Sequence, residues 1–311
     1  MRRLLMMGAL AAPLGANAAE LVFEGHYRAR GQFFNSLSLA DTQANENAEG
    51  SALLIDHRLR LQPGFLLSDK VALFTQIDIL PYVLWGDEPI LRDDNDPSPD
   101  DTPPVVLSPG VQPPTTEDGA STLTNLRATR VWGEVQTPYG QLRFGRMPFE
   151  WGAGMVWNAG NQPWQEFGDT VDRIQFTTRA DQIYIMGGLE TNAEQFVNEA
   201  DDVFGVTGSI LYATEQASVG VYGLHRRTND RDEETRFTLT TVDIWADAAA
   251  GPLNIEAEFA GQFGGGALSE DIDDAQVLAF GGMIDVGMNI DKIRLGLSGG
   301  FATGDTDPTV R

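Results

Sequence analysis

The chain of 311 residues contains no cysteine. It therefore forms no disulfide and offers neither a thiol nucleophile nor a thiolate ligand for a metal. Basic residues are also scarce: 21 lysines and arginines stand against 45 acidic residues, which gives a formal net charge of −24. This charge argues against nucleic acid as a partner, because a phosphate backbone requires a basic protein surface.

Long apolar runs are missing from most of the chain. After residue 18, no window approaches the roughly 20 apolar residues that a membrane-spanning helix needs. The N-terminus has the three parts of a secretory signal peptide: Arg2 and Arg3, an apolar run over residues 4–14, and the small-residue site Ala16-Asn17-Ala18. Because these parts occur in the order that export requires, we expect residues 1–18 to be a cleaved signal peptide and the mature chain to begin at residue 19.

The first mature segment alternates strictly between apolar and polar residues. In LVFEGHYRARGQFF, residues 21–34, polar and charged side chains fall on alternate positions from Glu24 to Gln32. Alternation of period two predicts a β-strand with one apolar and one polar face. Its length exceeds the five or six residues of an ordinary strand and matches that of a membrane-spanning one.

The same period recurs along the chain, which is rich in glycine with 34 residues. It predicts thirteen strands, near 20–34, 51–63, 70–83, 123–137, 140–149, 171–180, 182–190, 203–214, 217–227, 235–248, 252–263, 275–288 and 291–302.

The connections between these strands alternate in length. Short turns such as TPYG and NIDK are followed by longer polar segments such as HRRTNDRDEET. Outer-membrane barrels have short periplasmic turns and long external loops, whereas a soluble sandwich predicts no such asymmetry. The sequence therefore predicts an all-β fold, a transmembrane antiparallel up-and-down β-barrel in the bacterial outer membrane. Outer-membrane lipid is the partner that this fold implies.

Residues 86–122 are acidic and rich in proline, which excludes regular strand pairing. We expect a solvated external loop within one barrel domain spanning residues 19–311. A Ca²⁺ or Mg²⁺ site is the alternative, since aspartates are hard oxygen ligands, although their spacing is not that of an EF-hand. The candidate ligands are Asp93, Asp94, Asp96, Asp100 and Asp101. No other metal and no cofactor is expected.

The segment GRMPFEWGAGMVWNAGN, residues 145–161, combines glycines with tryptophans. It has neither the spacing of a phosphate-binding loop nor a following helix. We expect an ordered loop over residues 150–170 at the outer end of the barrel, which either packs along the rim or folds inward and narrows a pore. Rim packing is slightly favoured. The residues expected to form a constriction are Glu150, Trp151, Trp157, Asn158 and Asn161.

The region around this loop resembles part of a known family. The motifs are G-R-M-P at 145–148, W-G-x-G at 151–154, N-x-G-N at 158–161 and G-D-T-V-D-R at 168–173. They resemble a run of about fifty residues in a family of uncharacterised, porin-like outer-membrane β-barrels. That family is in turn distantly similar to alginate-export-type porins. The resemblance implies a single-chain barrel with a pore and no particular substrate.

The polar faces of the strands carry many charges. Arginine predominates on the early and middle strands and carboxylate on the later ones. These charges either pair and hold the wall rigid, or form separated ladders whose field orients solutes and sets ion preference. The residues expected to line a pore are Arg28, Arg30, Arg58, Arg60, Arg143, Arg173, Arg179, Glu24, Asp56, Asp78, Glu256 and Glu258.

The function expected from these features is a porin for passive diffusion of small hydrophilic solutes. The alternatives are a substrate-specific channel for anionic saccharides or carboxylates, and a barrel enzyme or structural surface protein. Enzymatic activity is not expected, because the G-x-S-x-G match at 296–300 lies within an alternating strand and follows the last histidine, His225.

Thirteen is an odd number of strands, whereas bacterial single-chain barrels have an even number. The chain is therefore expected to be a fragment that lacks its C-terminal part, with 14–18 strands in the full-length protein.

Overall fold

The computed structural model describes residues 19–35, 51–84, 126–165, 168–193, 202–229, 236–267 and 275–303. The predicted signal peptide and the acidic 86–122 segment, with its Ca²⁺ or Mg²⁺ site, lie outside these residues. All thirteen predicted strands are confirmed, with ends within a few residues of those expected. The strands are β1 (Glu20–Asn35), β2 (Ser51–Leu66), β3 (Val71–Leu84), β4 (Leu126–Thr137), β5 (Gly140–Pro148), β6 (Thr170–Ala180), β7 (Ile183–Ala193), β8 (Asp202–Ala213), β9 (Ala217–Asn229), β10 (Phe237–Ala250), β11 (Leu253–Gly266), β12 (Ala275–Ile290) and β13 (Ile293–Ala302).

Each strand pairs with the next along the chain, so that the sheet order runs from β1 to β13 without a crossover. Every second connection is short, and the predicted alternation of connection lengths is thereby confirmed. Two of the short turns begin at Asp181 and Asp291, whose backbones have φ of 55° and 50°. Aspartate tolerates this left-handed conformation better than most residues. The short connections are 67–70, 138–139, 181–182, 214–216, 251–252 and 291–292.

No helix among the described residues is long and apolar enough to cross a membrane. The chain divides into two compact units. The larger comprises residues 1–22, 64–74 and 130–311, and the smaller comprises residues 23–63 and 75–129.

Both units bury polar side chains and expose apolar ones. In the smaller unit, Arg58 is 3% exposed whereas Phe23 is 61% exposed. In the larger unit, the neighbours Arg173 and Ile174 are 2% and 60% exposed. A water-soluble protein has the opposite distribution, and apolar exposure on this scale marks a surface that borders lipid. The apolar face of the strands therefore has the character of a lipid-facing surface, and we call it the outward face.

The apolar core of the larger unit lies on the other, polar face of the strands. It forms where the described part of the connection between β5 and β6, residues 149–165 and 168–169, packs against that face. We call this segment the 149–169 loop. The buried apolar side chains of this core are Met147, Phe149, Trp151, Trp157, Val171, Met186, Leu211, Tyr222, Leu224 and Trp245.

Candidate functional site

The polar face of β1 and β2 in the smaller unit carries a charged network around Asp56. Its carboxylate accepts hydrogen bonds from Arg28 Nη2 at 3.1 Å, Arg30 Nη2 at 2.7 Å and Gln32 Nε2 at 2.6 Å. The donors lie on alternate positions of β1, so the strand period points all three side chains to one face. Asp56 is therefore paired with two guanidinium groups at once.

A second ion pair lies on the same face of β2 and β3. Arg60 donates from Nε and Nη2 to the two carboxylate oxygens of Asp78, at 2.7 and 2.8 Å. Arg58 is also buried on this face, between the two pairs in sequence. Around Asp56 and Asp78, four arginines thus accompany two aspartates. Glu24, also expected to line a pore, is exposed.

In the larger unit, β4 and β5 contribute one further predicted arginine to the polar face. Arg143 Nε lies 3.0 Å from Glu134 Oε1, and its guanidinium carbon lies 5.9 Å from the centre of the Trp132 ring. Glu134 also accepts hydrogen bonds from the Trp132 indole and from Gln141, each at 2.9 Å. Arg179 is exposed near the turn after β6, where its Nε donates to a backbone carbonyl.

Arg173 on β6 is covered by the 149–169 loop. It forms an ion pair with Glu190 on β7, and both side chains are fully buried. Its guanidinium carbon lies 4.1 Å from the centre of the Phe149 ring, and Nη2 lies 3.3 Å from the Tyr222 hydroxyl. A buried arginine is tolerated because the carboxylate and the aromatic face together replace its hydration.

Arg226 on β9 extends this cluster. Its Nε lies 3.5 Å from the second carboxylate oxygen of Glu190, and its guanidinium carbon lies 5.1 Å from the Trp157 ring centre. Two arginines of the strands therefore contact two aromatic rings of the loop. This is the first anchor of the loop.

Glu258 on β11 is the second anchor. Its Oε2 accepts the backbone N–H of Ala153 at 2.6 Å, and its Oε1 accepts those of Met155 and Val156 at 3.2 and 3.4 Å. A carboxylate that binds several backbone N–H groups makes charge-assisted hydrogen bonds, which are stronger than neutral ones. Glu258 is 2% exposed because the loop covers it.

The loop approaches the strands closely beside Glu258. The Trp151 indole N–H donates to Asp243 Oδ1 on β10 at 3.1 Å. Gly152 has a φ of 59°, and a Cβ atom there would lie 2.7 Å from Glu258 Oε2. Both its backbone conformation and the lack of space therefore require glycine. Glu256, on the same face of β11, accepts instead from the Trp245 indole at 3.1 Å.

Arg130 on β4 is the third anchor and holds the part of the loop that leads back to β6. It is buried and donates to Ala159 O at 2.6 Å, Asp169 O at 3.0 Å, Asn161 Oδ1 at 3.0 Å and Thr170 Oγ1 at 2.9 Å. The rigid guanidinium group suits this role, since it presents several donors in one plane.

Asn158 stabilises the loop from within. Its backbone N–H donates to Asp169 Oδ2 at 2.7 Å, and its side-chain oxygen accepts from Gly160 N and Gln165 Nε2, both at 2.9 Å. Among the residues expected to form a constriction, Trp151 and Trp157 are buried in the anchors, whereas Glu150 is exposed.

The predicted pore-lining residues thus fall into separate groups. Four arginines and two aspartates lie together on β1 to β3, whereas Arg173 and Glu258 lie beneath the loop. The sequence alone assigned no role to Glu190 and Tyr222 in this cluster, or to Arg130 in the third anchor. Alternation along β7 to β9 predicts which face of the sheet Glu190 and Tyr222 occupy. The neighbouring sequence does not indicate that aromatic side chains of the loop pack against them.

Within the described ranges, no group of three or more histidines and carboxylates is placed to hold a metal ion.

No family model and no curated protein matches the chain. Solved structures do match. The anion-selective porin from Comamonas acidovorans aligns with a TM-score of 0.54 and 11% identity, over 92% of this chain and 79% of its own. The outer membrane channel DcaP of Acinetobacter baumannii aligns with a TM-score of 0.51 and 10% identity, again over 92% and 79%. At this identity the likeness shows the fold alone, and it confirms the predicted fold class, an antiparallel up-and-down β-barrel.

Proposed function

We propose that this chain forms a channel in the bacterial outer membrane through which small hydrophilic solutes diffuse passively, and that it is not an enzyme. The fold supports the membrane location, and so does the burial of polar side chains together with the exposure of apolar ones. The observation that carries the channel role is the ordered 149–169 loop, which lies on the polar face of the strands and not on the outward face.

The three anchors explain how such a loop affects permeation. Arg130 holds the part that leads back to β6, Glu258 binds the backbone of residues 153–156, and Arg173 contacts Phe149. A loop held this way on the face that borders the solute path reduces the cross-section available to solutes. These contacts support the inward position over packing along the rim.

Planar-bilayer recordings on the full-length protein test this function. We expect discrete current steps, and we expect deletion of residues 152–161 to raise the conductance, since a constriction dominates the resistance of a pore. An unchanged conductance combined with lower heat resistance would instead favour a purely stabilising loop. If folded, inserted protein gives no current steps, the channel function is wrong.

A preference for anions is a second candidate, favoured by the arginines of β1 to β3. Four guanidinium groups accompany Asp56 and Asp78, so this group of side chains carries a net positive charge. Rings of positive charge in a pore attract anions. A similar solved structure, from Comamonas acidovorans, is described as an anion-selective porin.

Reversal potentials in a salt gradient test this preference. Replacing Arg28, Arg30, Arg58 and Arg60 with glutamate is expected to shift the reversal potential toward cations, and Arg30→Glu alone to shift it in the same direction by less. Arg227→Glu is the matched control, because Arg227 lies on the outward face of β9. The anion preference is wrong if folded variants of the arginine group keep the wild-type reversal potential.

A further inference from the structure

The outward face of the larger unit is organised in rows that follow the strand register. One row runs across β5 to β12 through residues that pair directly with one another. Its members are Arg146, Asp172, Thr191, Phe204, Arg227, Thr238, Gly265 and Gln276.

The next outward row toward the short turns is largely apolar. It contains Phe144, Ile174, Leu189, Val206, His225, Thr240, Phe263 and Leu278. The change from apolar to polar side chains between the two rows marks the boundary of the apolar band, on the side of the long connections. In the orientation of an outer-membrane barrel, with long loops outside, this boundary faces the outer leaflet.

Basic side chains are concentrated at this boundary on β9 and β10. His225 and Arg227 are exposed two residues apart on β9, and Arg236 is exposed just before β10. The backbone carbonyl of Arg236 accepts the N–H of Ala267 at 3.1 Å, so the pairing of β10 with β11 continues to Arg236. Alternation along the strand then places the Arg236 side chain on the outward face, as for Thr238. We call His225, Arg227 and Arg236 the basic patch.

Arg146 and Arg227, the two arginines of the first row, differ in their surroundings. Arg146 is bonded to Asp172 on the neighbouring strand, with Nε 2.9 Å from Oδ1. The residues paired with Arg227 are Phe204 and Thr238, which carry no charge. The charge of Arg146 is therefore neutralised across the ladder, whereas the strand neighbours of Arg227 leave its charge in place.

Below the basic patch the surface is apolar. Phe204 and Val206 on β8 are 45% and 49% exposed and flank Arg227 and His225. A ligand that fits both features is an amphiphile with an anionic head and acyl chains. Phosphate is the anion that arginine recognises best, because its planar fork matches two phosphate oxygens.

We propose that the basic patch binds the phosphate group of an outer-leaflet lipid, with its acyl chains against Phe204 and Val206. This inference rests on the proposed outer-membrane location. A basic residue near a membrane surface contributes about 1 kcal/mol to the binding of an anionic lipid, equivalent to about fivefold in affinity. The patch thus selects lipids by headgroup at one position of the wall.

The test compares two lipids with identical acyl chains, phosphatidic acid and diacylglycerol, in phosphatidylcholine vesicles that contain the full-length protein. Bound lipid is counted by native mass spectrometry after extraction. At 0.1 M salt we expect preferential binding of phosphatidic acid, about fivefold weaker in Arg227→Gln and weaker again in the double variant with Arg236→Gln. Both variants are expected to keep wild-type conductance, because these side chains face away from the polar face.

Arg146→Gln is the matched control. Arg146 lies four strands from Arg227, roughly 19 Å away at the usual strand spacing, which is beyond the screening length at 0.1 M salt. Its replacement is expected to leave phosphatidic acid binding within about twofold of wild type, since the charge effect does not reach the patch.

Several results would overturn the proposal. Equal binding of both lipids to the wild-type protein would do so, as would unchanged affinity in the double variant. The connection 230–235 contains Asp230, Asp232, Glu233 and Glu234; neutralisation of the patch by these residues would give that second result. Displacement of the lipid by an equal concentration of inorganic phosphate would show a site for the free anion. Failure of the chain to insert and conduct would reject the proposed function itself, whereas normal conductance without lipid preference would reject this inference alone.

Discussion

Replacing Glu258 is the sharpest perturbation of the 149–169 loop. Its carboxylate accepts three backbone N–H groups from Ala153, Met155 and Val156. We expect Glu258→Ala to release this part of the loop and to leave the strands intact. The reason is that the variant leaves three buried donors without an acceptor, and such donors become hydrated when the loop moves away.

The magnitude follows from the number of bonds. A hydrogen bond to a charged group contributes about 1.5–3 kcal/mol, so three would give about 4.5–9 kcal/mol if they were additive. Two effects reduce this sum. Release of the loop restores hydration to the N–H groups, and loss of Glu258 removes its repulsion with Asp243, its diagonal neighbour across β10 and β11. We therefore expect the free energy of local opening to fall by at least about 3 kcal/mol, which accelerates amide exchange roughly a hundredfold.

Hydrogen exchange of the amides of residues 153–156 measures this opening directly. Glu258→Gln keeps one acceptor oxygen and should give an intermediate rate. Glu256→Ala is the matched control, since Glu256 lies on the same face of β11 but accepts from Trp245 Nε1. In that variant the exchange of residues 153–156 should equal wild type.

Two results would refute this reasoning. If Glu258→Ala folds and residues 153–156 exchange at the wild-type rate, the three hydrogen bonds do not hold the loop. If exchange accelerates equally in every strand, Glu258 stabilises the whole sheet and has no specific effect on the loop.

Three further substitutions address the other contacts of the loop. Gly152→Ala should destabilise the loop by about 1–2 kcal/mol from the left-handed backbone alone, and by more because its Cβ would meet Glu258; a thermal unfolding midpoint at or above wild type would contradict this. Arg130→Met keeps the apolar stem but loses four hydrogen bonds, so residues 159–169 should become accessible to proteases while β4 remains protected; persistent protection of the loop would show that the guanidinium is dispensable. Trp151→Phe leaves the Asp243 carboxylate without the indole donor and should lower the free energy of unfolding by about 1–3 kcal/mol, and an unchanged denaturation midpoint would show that this bond contributes nothing.

The strands could be predicted from the sequence because their signal is local. Alternation over a dozen residues identifies a strand, its length and its two faces, and Asp56, Arg58 and Arg60 lie on the polar face as expected. The same alternation also predicts the orientation of Arg146. It is three positions from Arg143, so the two side chains must point to opposite faces of β5.

The position of the 149–169 loop could not be predicted in this way. Ala153 and its acceptor Glu258 are separated by 105 residues. Periodicity places Glu258 on the polar face but does not say whether water, a solute or a loop will occupy the space above it. The glycines and tryptophans of the loop indicate an ordered, closely packed segment, and their partners on β9 to β11 become visible only in the folded chain.

This long separation has a kinetic consequence. The 149–169 loop follows β5, whereas its acceptor Glu258 and the Trp151 partner Asp243 lie on the β10–β11 hairpin. Contacts between distant parts of a chain form slowly, because loop-closure entropy must be overcome before they contribute stability. As each strand pairs with its sequence neighbour, the sheet can grow hairpin by hairpin, and the contacts of the loop with Asp243 and Glu258 form only when β10 and β11 are in place. Completion of the loop's contacts is therefore a late step in folding, and an assembly intermediate that lacks β10 and β11 would hold the loop only through Arg130, Arg173 and Arg226.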